Sequence, residues 1–211
     1  MEVRGGAMEG KRSIVDRYMA ILERRPLYTK MATNYLICFL GDVSCQAMGA
    51  GSLRALSRAF DVKRAVLYGS MGALYLAPLA HYWYGALDSA IVKTPAGQVD
   101  GAEKPSTATR VTGALKMLFI DQAIASPIVN SGFLFAYAAF TGLAGGSGFG
   151  AALHSGSAKV QSALWPTLVA SWKIWPAANF LNFMFVPLQL RALFLSVVGV
   201  AWNLVLSSIA N

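Results

Sequence analysis

The distribution of charged side chains constrains this chain more than any other feature of its sequence. Residues 65–87 contain no Asp, Glu, Lys or Arg, and neither do residues 122–158. Residues 174–190 and 192–211 also lack these four residue types and are separated by Arg191. A helix needs about 20 mostly apolar residues to cross the hydrocarbon core of a bilayer. The charge-free stretches therefore predict membrane-spanning segments.

The overall composition agrees with a membrane protein. Charged residues make up 13% of the 211 residues and hydrophobic residues make up 55%, whereas soluble domains are about 25% charged. These values exclude a disordered chain and a disulfide scaffold, and they are atypical of a cytosolic enzyme. The net charge is +8, and the basic residues lie mostly outside the apolar stretches. We therefore expect a lipid bilayer as the partner rather than nucleic acid.

The apolar runs predict helices rather than the strands of a barrel. Barrel strands alternate in hydrophobicity, whereas these runs are continuous, and a helix satisfies its own backbone groups in lipid. The predicted spans are residues 29–48, 65–87, 115–143 and 164–188, and residues 189–209 form a further helix that is either a fifth span or lies along the fourth. Prolines inside the spans each remove a backbone donor and bend the helix; they are Pro78, Pro127, Pro176 and Pro187.

The predicted fold is all-α: one membrane domain over residues 1–211, built as a bundle of four to five kinked transmembrane helices. Residues 1–11 are an N-terminal tail, residues 12–26 an amphipathic helix, and residues 27–209 the bundle. The amphipathic helix either lies on the membrane surface or packs against the protein itself or a neighbour. The glycine-rich residues 142–157 lack the context of a phosphate-binding loop, and we expect an ordinary loop there.

Polar residues inside the predicted spans are the candidate functional residues, because each costs free energy unless it is paired or wetted. In one interpretation they line a water-filled path for polar solutes. In the other they form interhelical pairs, such as Asp42 or Asp121 with Lys173 or Arg191, that fix the packing of the bundle. Both interpretations stay open at this point. The candidates are Asp42, Gln46, His81, Asp88, Asp121, Gln122, Lys173, Asn179, Asn182 and Arg191.

The sequence offers little for catalysis or metal binding. The two histidines, His81 and His154, lie far apart, and no HExxH or Gly-x-Ser-x-Gly motif is present. Cys38 and Cys45 would lie about 10 Å apart along one helix, too far for a disulfide with each other, and we expect them to be buried thiols. We therefore expect no enzyme, no catalytic residue, no metal site and no cofactor.

The C-terminal third carries a specific motif. It runs from Trp172 and the pair Trp175-Pro176 through Asn182-Phe183, Val186-Pro187 and Arg191 to Trp202-Asn203. With matching segments elsewhere, such as Gly41-Asp42 and Asp121-Gln122, it resembles the signature of the Mpv-seventeen / twenty-two-kilodalton peroxisomal membrane protein family. The resemblance covers about residues 18–207. The departures are Asn179, Ala77 and Val205, where the family usually has Gln, Gly and Tyr.

The resemblance implies a small multi-helix protein of an organelle membrane, most often the mitochondrial inner membrane or the peroxisome, with relatives in chloroplasts. It also implies channel-like passage of small solutes and no catalytic residues. We therefore expect a weakly selective channel of the mitochondrial inner membrane.

Two alternatives to the channel stay open. The first is a structural or accessory subunit of a larger membrane complex, or a homo-oligomer, with small residues such as Gly69, Gly72 and Ala73 facing the partner. The second is a carrier for metabolites or nucleotides. The absence of an obvious internal repeat speaks against a carrier.

Overall fold

The computed structural model describes residues 14–51, 54, 58–91 and 106–209, without the side chains of residues 14–15 and 203–209. The predicted N-terminal tail lies outside this part. The described residues are helical apart from short turns and breaks between the helices, which confirms the all-α class. The helices are α1 (Ile14–Arg24), α2 (Pro26–Ala50), α3 (Val62–Met71), α4 (Ala77–Ile91), α5 (Thr107–Ile120), α6 (Ser126–Ala144), α7 (Phe149–Ser171), α8 (Trp175–Phe185) and α9 (Arg191–Ile209).

Two of the predicted proline sites coincide with π-helical turns. Gly72–Leu76 joins α3 to α4, and Asp121–Ala125 joins α5 to α6; the turns end two residues before Pro78 and Pro127. In both, the residue before the proline donates its N–H to the carbonyl five residues back, the first of the turn. Proline has no N–H to donate and its ring collides with the carbonyl four residues earlier. The wider turn relieves this conflict while the helix continues.

The predicted fourth span is wrong as a single helix. Helix α7 ends at Ser171, and a short turn separates it from α8. Pro176 has no N–H with which to continue the ladder across this point, but it is well tolerated in the first turn of a new helix. Pro187 precedes the 3₁₀ turn Leu188–Leu190, after which α9 begins as a separate helix.

The prediction of a loop over residues 142–157 is also wrong. Helix α6 continues to Ala144 and α7 begins at Phe149, so only a tight turn lies between them. A Cβ atom on Gly156 would lie 2.8 Å from the ring of Phe135 and 2.9 Å from its carbonyl oxygen. Small residues allow two helix backbones to approach closely. At Gly156, glycine therefore serves the close packing of the α6–α7 hairpin.

Helix α2 is the centre of one half of the structure, because it contacts α1, α3, the first π-turn, α4 and α9. A Cβ atom on Gly72 would lie 2.6 Å from Cys38 Sγ and 2.8 Å from the Asn34 carbonyl oxygen of α2. Gly69 faces the ring of Tyr35 in the same way. These small residues, expected to face a partner protein, are used inside the chain.

Helix α1 packs on α2 through one face. Leu22 is buried, and the Tyr18 hydroxyl lies 3.4 Å from the Thr33 hydroxyl oxygen. The interpretation that this helix packs on the protein's own core is confirmed for these residues. Ile21 is exposed on the outer side, and contact of that side with a membrane surface stays a prediction.

The other half of the structure is built around α5, which packs on α8 and α4. Its core consists of Tyr84, Leu87, Ala114, Met117 and Phe183. Helices α6 and α7 form a hairpin, and α6 reaches α3 where the ring of Tyr68 meets those of Phe133 and Tyr137.

One helix in the described part, Thr107–Ala144, is long and apolar enough to cross a membrane. Its 38 residues extend about 57 Å at 1.5 Å per residue, more than the roughly 30 Å of a hydrocarbon core. A single such helix is weak evidence for a membrane protein. Large apolar side chains such as Leu74, Phe119 and Phe149 are also exposed. The remaining predicted spans stay a prediction.

The contact between Gly72 and α2 leads to a stability test. We expect Gly72→Ala to lower the free energy of unfolding by about 1–3 kcal/mol, because the added methyl group would overlap Cys38 and the Asn34 carbonyl. Gly85→Ala is the matched control on α4, where a Cβ atom meets nothing within 4 Å and alanine favours the helix by about 0.5–1 kcal/mol. Denaturant unfolding of detergent-purified protein measures both. Equal stability of the two variants would contradict the close packing.

Candidate functional site

Asp42 lies in a cluster that fastens the end of α2 to the start of α3. Its carboxylate accepts hydrogen bonds from Arg64 Nε at 2.9 Å and from Gln46 Nε2 at 2.6 Å. The Gln46 amide also bonds the backbone N–H and carbonyl of Asp61, whose own carboxylate caps α3. Partial burial opposes the charge on Arg64, but the Asp42 carboxylate and other neighbours outweigh it and raise the pKa of Arg64. Two candidates, Asp42 and Gln46, thus hold two helices together.

Asp121 is the centre of a second cluster, between three helices. It opens the second π-turn and is 5% exposed. Its Oδ1 accepts from Trp83 Nε1 of α4 at 2.9 Å. Its Oδ2 accepts from Gln122 Nε2 and from Asn179 Nδ2 of α8, both at 2.9 Å. We call Asp121, Trp83, Gln122 and Asn179 the Asp121 cluster.

The Asp121 cluster and its neighbour Asn182 contain polar atoms without partners. Gln122 Oε1, Asn179 Oδ1 and both polar side-chain atoms of Asn182 are buried and have no hydrogen bond within the described part of the chain. Asn182 is 0% exposed. A buried donor or acceptor left unpaired costs about 1–3 kcal/mol. Three of these four atoms belong to residues one helical turn apart on α8, and the fourth belongs to Gln122. Unpaired buried atoms of this kind call for an explanation.

His81, one of the candidates predicted from the sequence, belongs to a third site, and the charge pattern did not reveal its partner there. Its Nδ1 lies 3.2 Å from the ammonium nitrogen of Lys30, a residue only 6% exposed. A protonated Lys30 can only donate, and in that state Nδ1 accepts and the imidazole proton lies on Nε2. Sequence reasoning missed Lys30 because it stands at the edge of a predicted span, where a lysine normally reaches the aqueous interface.

The interhelical pairs suggested as examples from the sequence are wrong. Asp42 pairs with Arg64, Asp121 is bound by neutral donors, and Arg191 pairs with Asp88. Lys173 is exposed in the turn between α7 and α8. It follows the end of α7 and therefore does not lie on a buried helix face. The prediction places it inside one continuous helix over residues 164–188.

The described residues contain no group of three or more His, Cys, Asp or Glu side chains placed to hold a metal ion. Cys38 and Cys45 are free thiols, each partly buried. The expectations of no catalytic residue, no cofactor and no metal site of this kind stay predictions.

The comparisons with known proteins extend over nearly the whole chain. A sequence model described as the Mpv17 / PMP22 family matches residues 150–207. Protein SYM1 of Candida albicans is 31% identical over 203 residues, which are 94% of this chain and 97% of the relative. The chain belongs to the Mpv17 / PMP22 family. PXMP2/4 family protein 3 of Dictyostelium discoideum is 30% identical over 92% of this chain and 89% of the relative. Peroxisomal membrane protein 2 of Bos taurus is 25% identical over 95% of this chain and 91% of the relative.

No solved structure matches this member of the Mpv17 / PMP22 family. The family membership confirms the resemblance noted in the C-terminal third. It also makes the chain an organelle membrane protein, in contact with a lipid bilayer.

In this Mpv17 / PMP22 family member, the C-terminal motif surrounds Arg191. The guanidinium donates from Nη1 to Asp88 at 2.9 Å and from Nε to the Val186 carbonyl at 3.3 Å, and lies 5.5 Å from the centre of the Phe183 ring. Val186 and Pro187 form the break between α8 and the 3₁₀ turn. The motif thus encodes a helix break whose residues contact the buried Arg191 guanidinium.

The remaining motif residues lie in the turn after α7, on α8 or on α9. Trp172 meets Trp165 edge to face, and Pro176 lies in the first turn of α8. Trp175 lies opposite Gly199 of α9, where an added Cβ atom would be 3.8 Å from its ring. Trp202 is partly buried, and the side chain of Asn203 lies outside the described residues.

A double-mutant cycle tests the pair of Arg191 and Asp88. We expect Arg191→Met to lower the free energy of unfolding by at least about 2 kcal/mol, because it leaves the Asp88 carboxylate without its partner. Asp88→Leu should also lower the free energy of unfolding, because it leaves the Arg191 guanidinium without its carboxylate partner. The double variant should lose less stability than the sum of the two single losses. Lys173→Met, which removes an exposed cation, is the control and should be neutral. Additive single effects would exclude the pair as a stabilising contact.

Proposed function

We propose that the chain is an integral protein of the mitochondrial inner membrane and acts as a weakly selective, non-enzymatic channel for small polar solutes. Membership of a family of organelle membrane proteins supports the membrane setting. The long apolar helix Thr107–Ala144 and the exposed large apolar side chains support it as well. The inner membrane is the location that the family resemblance favours. The bovine relative is named for the peroxisomal membrane, which makes the peroxisome the alternative.

The unpaired buried amides next to Asp121 carry the proposal of passage. In a purely structural bundle, selection for stability would replace such groups by apolar side chains of similar size, because each unpaired atom costs about 1–3 kcal/mol. Asn182 keeps both polar atoms unpaired at 0% exposure. Buried polar groups without hydrogen-bond partners in the protein are expected where water or a polar solute enters.

The paired carboxylates correspond to a closed conformation of the proposed channel. The carboxylates of Asp42, Asp88 and Asp121 are all bound by donors within the chain, so their charges are not offered to a permeating ion in this arrangement. Opening would exchange part of these hydrogen bonds for bonds to water, with a small net free-energy change for each exchange. A path past Asp121 and Asn182 would therefore be gated by a limited rearrangement of α4, α5 and α8.

The second candidate is an accessory subunit of a membrane complex, and helix α7 favours it. This helix packs chiefly on α6, and side chains along its other faces are exposed, including Phe149 and the 66% exposed Trp165. An apolar helix face of this kind suits either lipid or a partner helix. Native electrophoresis in mild detergent separates the two, because a subunit migrates with its complex and a channel does not require one.

The channel is tested in planar bilayers by one substitution with opposite effects on conductance and stability. Asn182→Leu should lower the single-channel conductance severalfold, because an apolar side chain replaces a group that water or solute would contact. The same change should leave the free energy of unfolding unchanged or raise it by about 1–3 kcal/mol, since it removes unpaired buried atoms.

The control for this test is Asn130→Leu on α6. The Asn130 amide already donates to the Ser126 carbonyl, so its loss should cost stability and leave conductance as it was. Well-folded protein without any current would refute the channel. A loss of stability in Asn182→Leu would assign that residue a structural role instead.

A further inference from the structure

We propose that the Asp121 cluster binds a monovalent metal cation, Na⁺ or K⁺. The ligands are the carboxylate of Asp121 and the side-chain oxygens of Gln122 and Asn179. This inference goes beyond the proposed channel, because binding at this site requires no conduction.

The first argument is the charge balance of the site. Asp121 is a buried carboxylate whose three hydrogen-bond donors are an indole and two amides. All three are neutral, so they stabilise the anion without cancelling its charge. The ion pairs found among the described residues join Arg64 to Asp42 and Arg191 to Asp88, and neither involves Asp121. A buried charge without a counter-ion is expensive, and a bound cation would remove that cost.

The second argument is the kind of atom left without a partner. Both amides turn their nitrogen atoms to Asp121 Oδ2, which leaves Gln122 Oε1 and Asn179 Oδ1 as buried acceptors with no donor. A carboxylate has about four lone-pair positions, of which three are used here. The open position on Oδ1 and the two amide oxygens are all oxygen acceptors. Oxygen atoms are the ligands that hard metal cations prefer.

The balance of one carboxylate with neutral amides selects a monovalent ion. Sites for Ca²⁺ usually combine several carboxylates with carbonyls, and Mg²⁺ keeps much of its water and strict octahedral geometry. Neutral carbonyl dipoles replace the hydration shell of K⁺ in channel filters. One cation with a single charge leaves the Asp121 cluster neutral. Asn182, three residues after Asn179 on the same face of α8, carries a further unpaired side-chain oxygen and an unpaired nitrogen.

The two π-turns provide an internal comparison. Both stand at the same distance before a proline, and π-turns frequently occur at functional sites. The first begins with Gly72, which packs tightly against α2 and brings no carboxylate. The second begins with Asp121 and places it beside two amides. In both places the π-turn accommodates the proline that follows it. Only the second turn begins with a carboxylate, which can serve as a ligand.

Thermal unfolding of detergent-purified protein tests the site. NaCl or KCl replaces N-methyl-D-glucamine chloride at constant ionic strength, and we expect the midpoint of unfolding to rise with the metal cation and to saturate. Asp121→Asn should abolish this dependence. Asp61→Asn is the matched control: it removes an exposed carboxylate at the N-cap of α3, and asparagine caps a helix about as well as aspartate, so the full cation dependence should remain.

Direct binding of radioactive sodium or rubidium keeps the proposal testable if Asp121→Asn fails to fold. Gln122→Leu and Asn179→Leu retain the carboxylate and remove one ligand each, and each should weaken binding at least about tenfold. Asn130→Leu should bind as the parent protein does. Equal behaviour of these three variants would overturn the assignment of ligands.

Two results would overturn the site altogether: an unfolding midpoint that is the same in every cation, or a response to Mg²⁺ without one to Na⁺ or K⁺. The outcome is separable from that of the channel. Currents without cation binding would refute the site and leave the channel standing, and cation binding without currents would do the reverse.

Discussion

A carboxylate buried between helices must find its donors inside the protein, because burial removes the water that would otherwise solvate it. Asp121 meets this requirement with one donor from α4, one from its own π-turn and one from α8. These elements come from distant parts of the chain, and the three bonds fix how close they lie. The aromatic contact of Tyr84 with Phe183 covers the adjacent core and joins α4 to α8 a second time. The cluster thus links α4, the second π-turn and α8 beside the apolar core of this half.

Proline chemistry explains why Asp121 stands where it does. Pro127 has no N–H for the helical ladder, and the wider turn that answers it begins with the aspartate itself. The first π-turn solves the same problem with Gly72, which lets α2 approach closely. One local rule thus produces two different outcomes, because the first residue of the turn is a carboxylate in one case and a glycine in the other.

Much of this arrangement could be predicted from the sequence. The long apolar runs predict the helical class. Five of the ten polar candidates in or beside these runs are buried, namely Asp42, Asp121, Asn179, Asn182 and Arg191, whereas Lys173 is exposed. Their partners could not be predicted, because the pairing depends on helix register and on breaks that the sequence signals weakly. Arg64 lies just outside an apolar run, and Lys173 follows an unexpected helix end. The glycines of residues 142–157 predict a loop where the structure has a helical hairpin. Glycine is suited to a tight contact between helices as well as to a loop.

Whether the protein acts as a pore or as a scaffold therefore depends on which buried polar atoms have hydrogen-bond partners within the protein. Asp42 and Arg191 have partners that account for them as structural groups, so their conversion to permeation would require breaking bonds that hold helices together. Asn182 has no such bond to lose. If α8 only needed to pack, leucine at this position would avoid the cost of unpaired buried atoms, and the presence of the amide is the part of this structure that packing does not explain. The wetted or ion-occupied site proposed beside Asp121 would explain it, since water or a cation would supply the partners that are missing within the described residues.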